Sequence, residues 1–293
     1  MADMTATTMA NWIPKVYSAK ASVTYRARTM FVPLLDHTWE PELGVGRGDT
    51  VNIPFFSQNN SPRNRGAGTG TFGTGAAITF DATTEDKAQL VVDRFYYKAF
   101  RQPVESQAQL MSNYTIMLIE GQGDAIRLQI DADIAADNTN GFDAFTTAVG
   151  ADNVDLTEDV LLTVQTSLNG QNTRKKRNLA VSPAGHSSLM KIEAFRNQLY
   201  AGAMGNLDGA KGQGYVGQVL SFDTYMSNNL EAGTAGKKGA AWDTEAIAFA
   251  EQLSLKTLND MNLEDGVFEQ WVTFNTCGFK IVKNAFGNEV DMK

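Results

Sequence analysis

The sequence has very few of the side chains that build metal centres and disulfides. Its 293 residues include one cysteine, Cys277, and two histidines, His37 and His186. A single thiol excludes an internal disulfide, and three such side chains cannot supply the four nitrogen and sulfur ligands of a zinc-type cluster. We therefore predict neither feature within one chain.

Long apolar runs are also missing. No run approaches the roughly 20 residues that cross a bilayer, and the N-terminus lacks the charged region and apolar block that direct Sec export. We expect no membrane partner. Because 43% of the residues are hydrophobic, the chain is long and apolar enough for one large or two small folded domains.

The chain has fewer basic than acidic side chains. The chain has 25 Lys and Arg against 33 Asp and Glu, a net charge of -8 at pH 7. Nucleic-acid readers normally carry a clustered basic excess, since phosphate contacts dominate their affinity. An acidic protein that lives near DNA is better suited to contain it than to read its sequence.

Motifs of catalysis and cofactor binding are weak. Residues 182–186 (SPAGH) lack the flanking glycines of a nucleophile elbow. Gly212, Gly214 and Gly217 have the spacing of a dinucleotide-binding loop, which needs a strand before it and a helix after it. Residues 218–226 instead alternate like a strand. We predict no catalytic or cofactor-binding residue.

Three short charged clusters have ordinary interpretations. Asp131, Asp133 and Asp137 do not fit a calcium loop, so we interpret them as solvated carboxylates at a helix end and predict no metal site. Residues 47–49 (RGD) match an adhesion tripeptide, but Gly-Asp before a strand is common turn chemistry, and adhesion would need export. The basic run at 174–177 is typical of a solvated face.

What the sequence does contain is one long helical periodicity. Steps of three and four trace one face from Pro103 to Asp137, a helix about 50 Å long. Pro103 suits the first helical position, and Asn138 with Gly141 provides a stop. The face consists of Val104, Ala108, Met111, Tyr114, Leu118, Gly121, Ala125, Leu128, Ala132 and Ala135.

Two glycines interrupt this helix. Gly121 and Gly123 each cost about 1 kcal/mol relative to alanine, so we expect a kink or a close approach of another backbone there. Arg127 and Asp131, four residues apart, can pair. A second apolar stripe widens the face in the C-terminal half and contains Ile119, Ile126, Ile130 and Ile134.

The first third of the chain predicts an arm and a hairpin. Residues 1–40 hold scattered aromatic anchors such as Trp12 and Tyr17, and we expect them to lie on the body or on a neighbouring subunit. Residues 50–56 alternate as a strand, which Pro54 places at a sheet edge. A polar excursion at 57–75 separates it from β structure at 76–80 and 89–100, and its tip carries the candidate contacts Arg63, Arg65 and Phe72.

The second half mixes helices and strands. We predict helices over 152–168, with acidic residues in the first turn and a stop at 169–170, and over 187–199. A short helix or turn is predicted over 253–261. Strands are predicted at 179–182, 218–226, 268–274 and 278–286.

This order of parts resembles the major capsid proteins of tailed bacteriophages, whose fold is shared by herpesvirus capsid floors and encapsulins. Short sequence segments carry the likeness across nearly the whole chain. They are NWIPKVYS at 11–18, GDTVNIP at 48–54, residues 178–183, LSFDTYMSNNL at 220–230, residues 246–252 and GFKIV at 278–282.

The resemblance implies an α+β fold in five parts. These are an N-terminal arm (1–45), a strand with an extended β-hairpin loop (46–102), a peripheral domain built on a long spine helix (103–150), a mixed α/β axial domain (151–240) and return strands that close both domains (241–293). About 40 residues precede the first strand, which implies a mature form or a separate scaffolding protein.

The resemblance also implies a structural, non-enzymatic function. Many copies would form hexamers and pentamers of an icosahedral shell around phage double-stranded DNA, assembled in the host bacterial cytoplasm with a scaffolding protein and a portal. Trp12, Tyr17, Arg63, Arg65, Phe72, Gly121 and Gly123 are then the candidate subunit contacts. Some family members join their subunits covalently, through a loop lysine and an asparagine on a neighbour. Lys87 lies in the comparable segment, but no motif assigns the asparagine.

Two alternatives from the sequence stay open. One is an encapsulin-like compartment, which has the same fold but encloses protein cargo. The other is a nucleotide-dependent enzyme that uses residues 212–217.

Overall fold

A computed structural model describes residues 29–41, 49–57, 84–104, 114–171, 173, 176–192, 215–262 and 267–293. Several expectations lie outside these residues: the anchors Trp12 and Tyr17, the polar excursion, the strand at 76–80, helix residues 105–113 and 193–199, and most of the glycine-rich loop. Within the described ranges, no helix is long and apolar enough to cross a membrane.

The described residues form three α-helices and twelve strands. The helices are α1 (Tyr114–Ala136), α2 (Glu158–Gly170) and α3 (Pro183–Leu189). The strands are β1 (Thr50–Ser57), β2 (Thr84–Val91), β3 (Arg94–Pro103), β4 (Ala148–Gly150), β5 (Arg177–Val181), β6 (Tyr215–Val219), β7 (Phe222–Met226), β8 (Glu231–Ala232), β9 (Lys237–Asp243), β10 (Ile247–Asn262), β11 (Phe268–Ile281) and β12 (Gly287–Met292).

These strands form three sheets. β1 and β2 pair as an antiparallel hairpin, β10, β11 and β3 form a three-stranded antiparallel sheet, and seven strands form a larger mixed sheet. The order in the larger sheet is β4-β12-β9-β5-β7-β6, with β8 added on β9. The predicted strand at 50–56 is confirmed, and Pro54 lies in a strand with one described neighbour, as expected for an edge.

Long strand pairing overrides three of the local predictions. The helix or turn predicted over 253–261 is wrong, because β10 is a 16-residue strand paired with β11 along its length. The two strands predicted at 268–274 and 278–286 are one strand that ends at Ile281. β structure at 89–100 is confirmed, but it divides between β2 and β3. Cross-strand contacts determine these strands more than local preference does.

The long helix is confirmed over α1, with two corrections. Pro103, predicted at the first helical position, is the last residue of β3 and pairs with Phe268. The stripe that packs into the core is the second one, Ile126, Ile130 and Ile134, all buried. Leu118, Ala125, Leu128 and Ala132 of the first stripe are only partly buried.

The helix passes through both glycines without ending. Gly121 is exposed with open space around it, whereas Gly123 is buried, and a Cβ added there would lie 3.2 Å from Leu255 Cδ2 of β10. The neighbour of Gly123 is therefore a side chain of the sheet and not the second backbone that we expected.

The acidic residues at the end of α1 are structural rather than solvated, contrary to expectation. Asp131 is 1% exposed and accepts hydrogen bonds from the Met30 and Phe31 N–H groups. Arg127 pairs with Asp124 at 3.1 Å, not with Asp131 as predicted. Within the described ranges, no group of acidic, cysteine and histidine residues could hold a metal ion.

Two helices pack near the larger sheet, and a side-chain N-cap determines the first residue of each. α2 begins at Glu158, not at 152, because Thr157 caps it and Asn153 has a left-handed φ of 59°. Glu158 and Asp159 occupy its first turn, as predicted. α3 begins at Pro183 rather than 187, since Ser182 Oγ accepts a hydrogen bond of 2.8 Å from Gly185 N–H.

The remaining corrections concern the far edge of this sheet. The strand predicted at 218–226 is two antiparallel strands, β6 and β7, joined at Leu220, whose φ is 53°. Gly217 lies within β6, whereas Gly212 and Gly214 lie outside the described residues. The end of the basic run lies at the surface, as expected, and its charges also have partners: Arg177 Nη1 donates to Asn169 Oδ1 at 2.7 Å, and Lys176 pairs with Asp223 at 2.8 Å.

The core connects α1 to both larger sheets. Trp242 of β9 is fully buried, with its ring 4.5 Å from Phe142 and 6.4 Å from Phe31. The buried isoleucines of α1 belong to the same cluster, as do Phe249 and Phe279 of the three-stranded sheet. One hydrophobic cluster thus holds the two sheets and the helix together.

The buried stripe of α1 generates a stability prediction. Ile134 is fully buried, so Ile134→Ala should lower the free energy of unfolding by about 2–5 kcal/mol, through lost transfer energy and the cavity left behind. Urea unfolding followed by tryptophan fluorescence measures this. Ile116 is 56% exposed on the same helix, so Ile116→Ala is the matched control and should change the value little. Equal effects of the two changes would contradict the assigned face.

The single thiol generates a second prediction. Cys277 is fully buried in β11, and burial, aided by Glu251, raises its thiol pKa to about 12. Because the thiolate is the reactive form, we expect a thiol reagent at pH 8 to label the native chain at least roughly a hundredfold more slowly than the unfolded chain. Unfolding in guanidinium should release one thiol per chain. Rapid labelling of the native protein would contradict this placement.

Candidate self-association surface

The two faces of the three-stranded sheet are chemically different, and alternate residues of β3 lie on each of them. Successive side chains of a strand point to opposite faces, and contacts with α1 identify one of them. Tyr96 donates to Asp133 of α1, Arg94 pairs with Asp137, and Gln102 lies 3.5 Å from Thr115 Oγ1. Arg94, Tyr96 and Gln102 therefore face α1, and we call this side of the sheet the inner face.

The inner face is held to α1 by polar contacts. Arg94 Nη1 lies 3.5 Å from Asp133, and its guanidinium carbon is 4.1 Å from the centre of the Phe279 ring. Burial and the hydrogen bond to Asp133 raise the pKa of Tyr96 above its ordinary value, so it remains a donor at physiological pH. Further along, Thr273 Oγ1 donates to Gln122 Oε1 of α1 at 2.7 Å.

The opposite side, which we call the outer face, is aromatic and open. Phe95 and Tyr97 of β3 are 58% and 67% exposed. Their rings stack at 6.0 Å, and Phe95 lies 5.8 Å from the Phe274 ring of β11. Register places Leu258 beside Val272 and Leu253 beside Thr276 on this same face, and both leucines are about half exposed.

Such a face is unusual on a protein that acts alone. Contiguous exposed apolar surface marks sites of protein association, and aromatic side chains are enriched at the centres of interfaces. Charged side chains border it: Arg101 is exposed and lies 5.0 Å from the centre of the Phe268 ring, and register places exposed Lys256 beside Phe274. The outer face therefore has the chemistry of a protein contact surface.

The hairpin of β1 and β2 is the second feature. At its base, Val51, Ile53 and Leu90 are buried against Ala248 and Ala250 of β10. Its pairing continues to Ser57 and Thr84, but a two-stranded hairpin is marginally stable in water without further packing. The described packing thus supports the base of the hairpin.

The candidate contacts from the sequence relate to these features only in part. Trp12, Tyr17, Arg63, Arg65 and Phe72 lie outside the described residues. Gly121 and Gly123 lie on α1, against the inner face or beside it, and away from the outer face. The contact residues of the outer face were missed.

A signal for the outer face was present in the sequence. Residues 95–97 are consecutive aromatics, and Phe100 follows, so both faces of that strand are apolar. A strand that is apolar on both faces is typical of one covered on both sides. Among the described elements, α1 covers the inner face, and the outer face is left open.

Comparison by sequence found no match: no protein-family profile and no curated protein corresponds to the chain. Comparison by structure found close likeness over the full length. A structure from Mycobacterium phage Che8 is 17% identical with a TM-score of 0.71, covering 96% of this chain and 97% of that one.

Two further structures are described as capsids. The capsid structure of cyanophage P-SCSP1u is 14% identical with a TM-score of 0.66, covering 97% of this chain and 94% of that chain. The capsid of Ralstonia phage GP4 is 12% identical with a TM-score of 0.68, covering 96% of each. At these identities the likeness establishes the fold, and the predicted α+β fold of tailed-phage major capsid proteins is confirmed.

Proposed function

We propose that this chain is a structural major capsid protein, many copies of which form the icosahedral shell of a tailed bacteriophage. The observation that carries the proposal is the near-complete coverage of both chains in the likeness to phage capsid structures. A capsid subunit is defined by its whole shape. A match that includes both larger sheets and α1 therefore supports the proposal more than a match to the core alone would.

The shell would be held by interlocking elements rather than by one tight contact. In this proposal the hairpin and residues 58–83, with Arg63, Arg65 and Phe72, reach across a neighbouring subunit, and the arm with Trp12 and Tyr17 braces another. The outer face is the surface on which a neighbouring copy rests. Together these contacts would bury well over the roughly 1,600 Å² of a standard interface.

The finer parts of the proposal follow from the same assignment. Copies would be arranged as hexamers and pentamers, with a scaffolding protein and a portal as partners. The shell would assemble in the host cytoplasm and enclose double-stranded DNA without reading its sequence, which suits a chain with a net charge of -8. No catalytic role is part of the proposal.

Electron microscopy of the purified protein tests this directly. Expressed with its neighbouring genes, the chain should give closed angular shells. Deletion of residues 61–75 should abolish shells while leaving the circular dichroism and the unfolding temperature of the subunit unchanged. A variant that replaces these residues with a glycine-serine segment of equal length separates the role of the side chains from that of length.

Each outcome has a distinct meaning. Normal shells from the deletion would contradict the interlocking role of the excursion. A monodisperse monomer from the intact chain under every condition would overturn the capsid assignment. Shells that enclose protein instead of nucleic acid would favour an encapsulin-like compartment.

The outer face generates its own prediction. The double change Phe95→Thr and Tyr97→Thr removes both rings and should lower the yield of shells by tenfold or more. The unfolding free energy of the subunit should change by no more than about 0.5 kcal/mol per site, since both side chains are mostly exposed. Sedimentation of assembled against free protein measures the yield.

The matched control keeps the rings and exchanges the hydroxyl. Phe95→Tyr combined with Tyr97→Phe should assemble like the unchanged protein. Unchanged assembly of the threonine variant would show that the outer face makes no contact between copies.

A further inference from the structure

Residues 29–36 contact three parts of the molecule, which are α1, the core beside the larger sheet and the start of β10. Phe31 is fully buried, with its ring 5.0 Å from Phe142. Asp36 N–H donates to Ile247 O at 3.0 Å, and Asp36 O accepts from Phe249 N–H at 2.9 Å. The segment thus spans from the core beside the larger sheet to the first residues of β10.

One carboxylate fastens this segment to α1. Asp131 Oδ2 accepts from Met30 N–H at 2.6 Å, and Oδ1 accepts from Phe31 N–H at 3.2 Å. Both oxygens are thus used by consecutive backbone amides, a hundred residues away in sequence. Asp131 lies in the C-terminal third of α1 and is 1% exposed, so the contact is shielded from water.

The charged groups around this contact are engaged elsewhere. On α1, Arg127 pairs with Asp124, and Asp133 binds Arg94 and Tyr96. On the other elements packed near α1, Asp143 pairs with Lys238, whose charge also acts on the carboxylate of Glu231 of β8. In the segment itself, the His37 ring is hydrogen-bonded to Glu40 and to Val32 O. Among the residues that the structure describes, no cation pairs with Asp131.

We propose that Asp131 is a proton-controlled latch that holds residues 29–36 on α1, and that the latch is tighter in acid than at neutral pH. The latch depends on the fold alone, so it stands or falls separately from the proposed function. A neutral carboxyl keeps its carbonyl oxygen as an acceptor for one of the two N–H groups, and it avoids the cost of burying a charge that no described cation balances.

The direction follows from the ionisation of the closed state. Burial raises the pKa of Asp131 to about 6, from the ordinary 3.8, against the opposing effect of the two N–H groups. When the segment opens, water solvates the carboxylate and the pKa returns toward its ordinary value. The closed state is therefore most stable below the ordinary pKa and loses stability as the pH rises to about 6, by roughly tenfold in the closed-to-open ratio between pH 5 and pH 7.5.

Opening would release the segment that leads into residues 1–28. In an assembling protein, the latch would set how firmly this part of the chain is kept on its own subunit. Acid would retain it, and neutral pH would make it available to another copy.

Amide hydrogen exchange of the full-length chain, read by mass spectrometry, tests the latch. After correction for intrinsic exchange rates, protection of the Met30 and Phe31 amides should fall about tenfold from pH 5 to pH 7.5, whereas protection of β9 should not change with pH. Asp131→Asn keeps an acceptor oxygen but cannot titrate, so its protection at Met30 and Phe31 should be independent of pH.

Two further variants make the result decisive. Asp159→Asn, an exposed change on α2, is the matched control and should keep the pH dependence of the unchanged protein. Phe31→Leu weakens the other anchor, so it should increase opening at every pH while leaving the slope with pH unchanged. Protection that does not depend on pH in the unchanged chain, or a pH dependence that survives Asp131→Asn, would overturn the proposal.

Discussion

The packing of α1 across the inner face of the three-stranded sheet is the contact on which the rest of the structure depends. It combines a buried stripe of isoleucines with polar contacts at the end of the helix, where Arg94 and Tyr96 bind the carboxylates of Asp133 and Asp137. Partly buried ion pairs add little net stability of their own, but removing one partner is costly. The isoleucines hold the helix on the sheet, and the ionic contacts tie its C-terminal end to β3.

How much of this could be read from the sequence depends on how local each signal was. The periodicity of α1 predicted the helix because steps of three and four need no knowledge of the partner. The same pattern could not say which stripe is buried, since both stripes are apolar and only the position of the sheet distinguishes them. The starts of α1 and α3 were misplaced for a related reason. The strand end at Pro103 and the cap at Ser182 depend on partners and side-chain bonds that composition does not reveal.

The longest strands were the least predictable, and the candidate site depends on them. Residues 253–261 lack clean alternation, so their extended conformation comes from pairing with β11, which is information distant in sequence. The outer face exists only because β3, β10 and β11 place Phe95, Tyr97 and Phe274 side by side. Its consecutive aromatics were visible, but their meaning required knowing that α1 already occupies the other side.

The position of β12 has a consequence for how the chain is made. Residues 287–292 lie between β4 and β9, so a strand near the end of the sequence fills the interior of the larger sheet. While the ribosome still encloses those residues, β4 and β9 have no strand to join them, and the sheet remains split. Until β12 has been added, the edge of β9 that it pairs with is open, and an open strand edge is a site at which another chain can pair.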